Sequence, residues 1–141
     1  MPPKKPIIVV KEFVQVSYSP YTLVMRIAGL PKTYNSMGRS HWAVKLKETR
    51  FWHEQIGYRL IGRTPKFPLK KATLKLVRCS SIPPDADGLV SSFKAVIDGL
   101  TKAQVIANDD MATIGFPHYE WKKGKPKTGF IEVCVTEVLD S

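Results

Sequence analysis

The sequence predicts an α+β fold, a single domain in which one mixed β-sheet carries two main helices. Two observations lead there. Stretches with strand and helix patterning follow one another in the order β-β-α-β-α-β-β, with no internal repeat and no compositional break between them. The chain has 141 residues, 43% of them hydrophobic and 24% charged, which suits one globular domain with a hydrophobic core.

The elements are read in order. Met1-Pro2-Pro3-Lys4-Lys5-Pro6 is proline-rich and basic, and is expected to be a disordered tail. β-Branched content predicts a strand from Ile7 to Ser17, closed by the turn signal Ser19-Pro20. Residues 1–18 thus form an N-terminal extension, a tail plus a strand, ahead of a domain over 19–141. Thr22 to Ile27 reads as a strand, with Leu23, Met25 and Ile27 alternating with Thr22, Val24 and Arg26. After a loop from Gly29 to Arg39, Ser40 is a candidate N-cap for a helix to about Leu60, with Trp42, Leu46, Trp52, Ile56 and Leu60 at helical spacing. Ala72 to Cys79 predicts a strand with Leu74, Leu76 and Arg78 on one face. A second helix starts at Asp87 or Gly88, and two strands follow, Met111 to Trp121 and Gly129 to Val138.

Charge bears on function. Twenty-two Lys and Arg against twelve Asp and Glu leave a net charge of +10, an excess that favours a polyanionic partner through counterion release. The longest aliphatic run, Ile7 to Val10, is far shorter than the roughly 20 residues of a membrane span, so no membrane role and no targeting segment are expected. Cys79 and Cys134 lie on predicted strands without metal-ligand spacing, and reduced, buried thiols in a cytoplasmic protein are expected. His41, His53 and His118 are scattered and suggest ordinary helix-face or surface roles.

The sharpest local feature is Pro83-Pro84-Asp85-Ala86-Asp87-Gly88-Leu89, at a strand-to-helix junction. Two carboxylates one residue apart on extended backbone stay close together, and their oxygens suit Mg²⁺ or Mn²⁺ better than zinc. Asp is equally favoured as a plain helix N-cap. In the helix beyond, Leu89, Phe93, Val96, Ile97 and Leu100 form an apolar stripe, and Asp87, Ser91, Lys94 and Asp98 fall along one edge within about 60°. Lys94 then leans back toward the aspartates, where an ammonium can hold a phosphate; a plain Lys94–Asp98 surface pair is the simpler alternative. Asn108-Asp109-Asp110 reads as a turn, and a return of the chain to the sheet would set Asp110 beside Asp85.

Taken together these segments resemble the RusA family of Holliday-junction resolvases, its phage-type members above all. Asp85-Ala86-Asp87-Gly88-Leu89-Val90 is similar to the family's Asp-x-Asp-Asn-Leu-Val signature. Phe93 to Leu100 is similar to the helix that follows, and Val105 to Asp110 to its closing Asp-Asp. Gly29-Leu30-Pro31, Asn35 and Arg39-Ser40-His41-Trp42 resemble the loop before the first helix. The resemblance covers about residues 21–138. It implies a homodimer that resolves four-way DNA junctions with Mg²⁺, with Mn²⁺ as a substitute; Asp85, Asp87 and Asp110 hold the metal and Lys94 is the essential lysine. Two departures stand out: Gly88 replaces the usual Asn, and Lys94 lies seven residues past Asp87, where some members have lysine four past, the place of Ser91 here.

The leading expectation is therefore a metal-dependent endonuclease cutting paired strands of a four-way junction in DNA recombination and repair. DNA contacts are expected from Asn35, Arg39, His41 and Lys45, from Lys66, Lys70 and Lys71, and from Lys122, Lys123, Lys125 and Lys127. The alternatives are a non-catalytic basic nucleic-acid-binding module, in which the aspartates only cap and turn, and a metal nuclease acting on other branched or duplex DNA.

Overall fold

A strand hairpin opens the fold, and a computed structural model describes it together with the rest of residues 9–33 and 42–139. β1 (Phe13–Tyr18) turns back through Ser19-Pro20 into β2 (Tyr21–Ala28) and pairs with it residue for residue. The strand therefore starts at Phe13, not at Ile7; residues 9–12 are not strand, and Ile7 and Ile8 lie outside the described residues. β2 is flanked on its other side by β5 (Phe130–Glu137), β5 by β3 (Ala72–Ser80), and β3 by β4 (His118–Lys123). All pairs are antiparallel except β3 with β4, so the sheet is mixed, in the order β1-β2-β5-β3-β4.

Period-two patterning fixes the core face. The register lines up Leu23, Val135 and Leu74 in one row, Met25, Val133 and Leu76 in the next, and Ile27, Ile131 and Arg78 in the third. The eight aliphatic members are buried, and so, unusually, is the arginine.

Two helices cover that face. Helix α1 (Trp42–Arg59) contributes buried Trp52 and Ile56, with Leu60 just beyond its end. The expected apolar face does not continue to its start, since Trp42 is 68% exposed and Leu46 41%. Length explains this: eighteen residues span about 27 Å, whereas the helix packed on α1 has nine and spans about 14 Å. Helix–helix approach is close where Gly99 meets Ile56; a Cβ there would lie 3.0 Å from Ile56 Cδ1.

The second predicted helix is two. α2 (Ala86–Ser92) stops and α3 (Lys94–Lys102) starts at Phe93, which is fully buried with φ −91° and ψ −1°. Ser91 and Ser92 account for the break. Their hydroxyls donate to Gly88 O at 3.3 Å and Leu89 O at 2.8 Å, competing with the helical ladder. The strand expected from Met111 is also corrected. Asp110 caps one helical turn, α4 (Met111–Ile114), and Gly115 at φ +59° ends it, so β4 begins only at His118. The N-cap expected at Ser40 lies outside the described residues.

Candidate functional site

β2, β3 and β4 all end at one end of the sheet, where β5 begins, and the connections from β3 to α2 and from β4 to β5 lie there. Ser80 fixes the way out of β3: its hydroxyl donates to Ile82 O at 2.8 Å and accepts the Trp121 indole N–H at 2.9 Å. Pro83 and Pro84 follow, and Asp85, extended at φ −73° and ψ 170°, becomes the N-cap of α2. Its Oδ1 accepts the Gly88 N–H at 2.6 Å, and a Cβ on residue 88 would lie 2.7 Å from that oxygen.

Asp87 stands in the first turn of α2, exposed, with no hydrogen-bond or ion-pair partner among the described residues. At the same end the register sets Lys122 beside Cys79 and Lys123 beside Ser80, so the Lys122–Lys127 stretch shares the sheet end from which Asp85 emerges. Its four lysines are exposed. The loop is drawn tightly over β3 at Gly124, whose N–H donates to Ser80 O at 3.0 Å; a Cβ there would lie 2.8 Å from the Cys79 sulfur.

Lys94 opens α3 and lines a cavity of about 330 Å³ with Ser91, Asp98, Asp109, Lys32 and Lys45. Ser91, Lys94 and Asp98 therefore do share one side despite the break at Phe93, but Asp87 is not among the cavity's walls. Asp98 pairs with His53 rather than with Lys94. His53 Nε2 is 2.8 Å from Asp98 Oδ2, without hydrogen-bond geometry.

Asp110 is engaged within its own turn: Oδ1 accepts the Thr113 N–H at 3.0 Å and Oδ2 the Asn108 amide at 3.1 Å. The segment that carries it is anchored beside the first half of β3, since Ile106 bridges Leu69 and His118 pairs with Lys75. Among the described residues no three His, Cys, Asp or Glu side chains come together as a group able to hold a metal ion. What the α2 terminus offers is two carboxylates, hard donors of the kind Mg²⁺ prefers.

The expected DNA contacts divide between the two ends of the sheet. Lys66, Lys70 and Lys71 line a cleft of about 640 Å³ with Tyr18, Tyr21 and Glu137, beside the start of β3. Nine residues of strand, about 27 Å, separate it from the Asp85 end. Lys45 belongs to the Lys94 cavity, and Asn35, Arg39 and His41 lie outside the described residues. Cys79 is buried and Cys134 half-buried, both free, and burial pushes the Cys134 thiol up.

Three residues at the site are not among those expected there from the sequence. Asp109, not Asp110, lines the cavity with Lys94. Lys32 lines that cavity and a second cleft beside Asp85. Arg78 is buried behind that cleft, and the signal for it was legible: an arginine continuing the inward series Leu74, Leu76. A further signal is the distribution of aspartate, since five of six, Asp85, Asp87, Asp98, Asp109 and Asp110, fall within residues 85–110.

Compared with models of known protein families and with curated protein sequences, the chain matches none. No helix among the described residues is long and apolar enough to cross a membrane.

Proposed function

We propose that the chain is a metal-dependent endonuclease acting on branched DNA, a four-way junction being the substrate that its resemblance to the resolvases favours. The observation that carries this reading is placement: Asp85 and Asp87, at the start of α2, and the Lys122–Lys127 loop lie at the same sheet end of a strongly basic chain. Asp87 and the outer oxygen of Asp85 are the groups that would hold Mg²⁺. Magnesium commonly binds through one or two carboxylates and keeps several waters, so a pair suffices. Bound there, the ion would supply Lewis-acid polarisation of a phosphoryl oxygen and a water of lowered pKa. Asp110 already accepts from Thr113 and Asn108 within its own turn, and its carboxylate would keep lone pairs for a cation. Lys94 offers an ammonium without a described partner, suited to charge on a phosphoryl group. The loop lysines hold flanking phosphates without reading sequence. Two nicks in symmetry-related strands call for two such sites, and a twofold dimer is the simplest way to supply them.

A second reading has its own support. Asp85 and Asp110 both act as helix N-caps, and among the described residues no third carboxylate joins Asp85 and Asp87, which is what a non-catalytic nucleic-acid-binding module needs. Incubation of the purified chain with a four-way junction, a flap and a matched duplex, each with Mg²⁺ and with chelator, separates these readings. Metal-dependent nicking of the junction is expected; metal-indifferent binding without cutting would select the module, and equal cutting of flap or duplex another nuclease.

A further inference from the structure

Arg78 occupies the last inward position of β3, in register with Ile131 and Ile27. It is only 9% exposed. Nη1 donates to Pro31 O at 2.6 Å, Nε is buried without an acceptor, and no carboxylate pairs with the group among the described residues. A guanidinium has five N–H donors and cannot shed its charge at any ordinary pH. Leaving it unpaired in the interior is strongly unfavourable, and burial lowers its proton affinity accordingly. Arg26, whose Nε is likewise buried without an acceptor, shows how this chain treats an arginine whose role is structural: Glu132 lies 3.5 Å away, and the Phe13 and Phe130 rings sit 5.2 and 4.4 Å from its guanidinium. Among the described residues Arg78 has neither kind of compensation.

What Arg78 does have is a cleft. It lines an opening of about 480 Å³ between the 30–33 loop and the 80–85 segment, with Lys32, Thr33, Ser81 and Asp85 among the other walls. One water takes about 30 Å³, so the space admits a hydrated anion. The Pro31 bond and the Ser80 hydrogen bonds to Ile82 and Trp121 fix both walls before any ligand arrives.

We infer that the Arg78 guanidinium is the binding site for one phosphate group of a nucleic-acid strand, seated in this cleft with Lys32 as the second cation. A planar fork of donors matches two phosphate oxygens at once. Phosphate is favoured over a protein carboxylate because the cleft opens at the same sheet end as the Lys122–Lys127 loop, on a chain of net charge +10. The inference rests on the reading that nucleic acid crosses this end, but it requires no cutting. Seated here, a phosphate would lie beside Asp85 and fix the strand relative to it, which makes Arg78 a positioning residue.

The test observes the guanidinium directly. Arginine Nε–H resonances of ¹⁵N-labelled protein are followed in chelator while inorganic phosphate, acetate or a six-nucleotide thymidine strand is added at constant ionic strength, with Arg78→Lys assigning the signal. The Arg78 signal should move saturably with phosphate and with the strand, and hardly with acetate. In binding titrations, Arg78→Lys and Arg78→Met should lose about tenfold in affinity for the strand, the equivalent of one charge-assisted pair. An unmoved signal would overturn the site, and so would a larger response to acetate. Should Arg78→Met bind the strand like wild type while melting lower, Arg78 is only a strut for Pro31. If the methionine variant does not fold, the wild-type spectra still decide. Phosphate binding at Arg78 in a chain that cuts nothing would retain this site and remove the nuclease reading; cutting with no Arg78 response would do the reverse.

Discussion

Asp85 carries two roles that different substitutions separate. Its Oδ1 closes the cap on Gly88 at 2.6 Å, and its carboxylate is a ligand in the proposed metal site. Asp85→Ala removes both. Losing an N-cap oxygen costs about 1 kcal/mol, and losing a negative charge at a helix start adds about 0.3–1 kcal/mol. For 141 residues the unfolding entropy is about 0.3 kcal/mol/K, so the alanine variant should melt about 4–7 °C lower. Asparagine caps as well as aspartate, so Asp85→Asn should lose only the charge contribution, about 1–3 °C. Asp87→Asn, exposed and unpartnered, should behave like Asp85→Asn. Thermal unfolding by circular dichroism in excess chelator measures all three without metal binding to complicate them. Equal falls for Asp85→Ala and Asp85→Asn would show that the oxygen is not the anchor of α2, and would undo the reasoning that holds the carboxylate at this sheet end.

Three further outcomes are expected. Neutralising Lys122, Lys123, Lys125 and Lys127 together should flatten the slope of log K against log[salt] for DNA binding by up to about 3–4, at about 0.9 per phosphate contact; an unchanged slope would leave this loop solvated and uninvolved. Burial, with Tyr18 nearby, pushes the Tyr21 hydroxyl up from 10.0 to about 12, and the hydroxyl donates to Arg63 O at 2.8 Å. The folded state therefore holds the proton longer than the unfolded one, so this contribution is intact below pH 10 and lost as pH rises toward 12. Its size is roughly 2–3 kcal/mol, and urea midpoints across that range should fall more steeply for wild type than for Tyr21→Phe. Gly124→Ala should cost about 1–3 kcal/mol by pressing a methyl onto the Cys79 sulfur. Much of that loss should return with Cys79→Ala in the same chain; strictly additive losses in a double-mutant cycle would refute the contact.

The sheet was legible because its signals are local. Leu23, Met25 and Ile27 alternate cleanly, as do Leu74, Leu76 and Arg78, and period two leaves one choice of core face. The break at Phe93 was not, since the apolar stripe continues across it and only the Ser91 and Ser92 hydroxyls, turned back on the backbone, divide the helix. Trp42 and Leu46 fit the helical period of α1, but their exposure depends on the length of the helix opposite. The strand expected from Met111 failed because Asp110 and Gly115 bracket a single helical turn. For the candidate site, the Asp85–Asp87 pair could be read from spacing, whereas the position of Asp110 depends on Ile106 bridging Leu69, a contact 37 residues apart in sequence with no local signature. Arg78 could be placed inward from its alternation, but that it lacks an acidic partner emerges only once its neighbours are known.

The most direct measurement of the nuclease reading compares wild type with Asp87→Asn on one labelled four-way junction. Asp87 makes no described contact, and the small fall in melting temperature expected for Asp87→Asn leaves the protein folded under assay conditions, so a loss of cutting reports on chemistry. Junction affinity is measured in chelator and nicking after Mg²⁺ is added. Wild type should nick symmetry-related strands only with the metal. Asp87→Asn should bind as tightly or more tightly, since less negative charge faces the phosphates, and leave the junction intact. Cutting by Asp87→Asn at the wild-type rate, or no cutting by wild type on any branched substrate with Mg²⁺ or Mn²⁺, would contradict the nuclease reading.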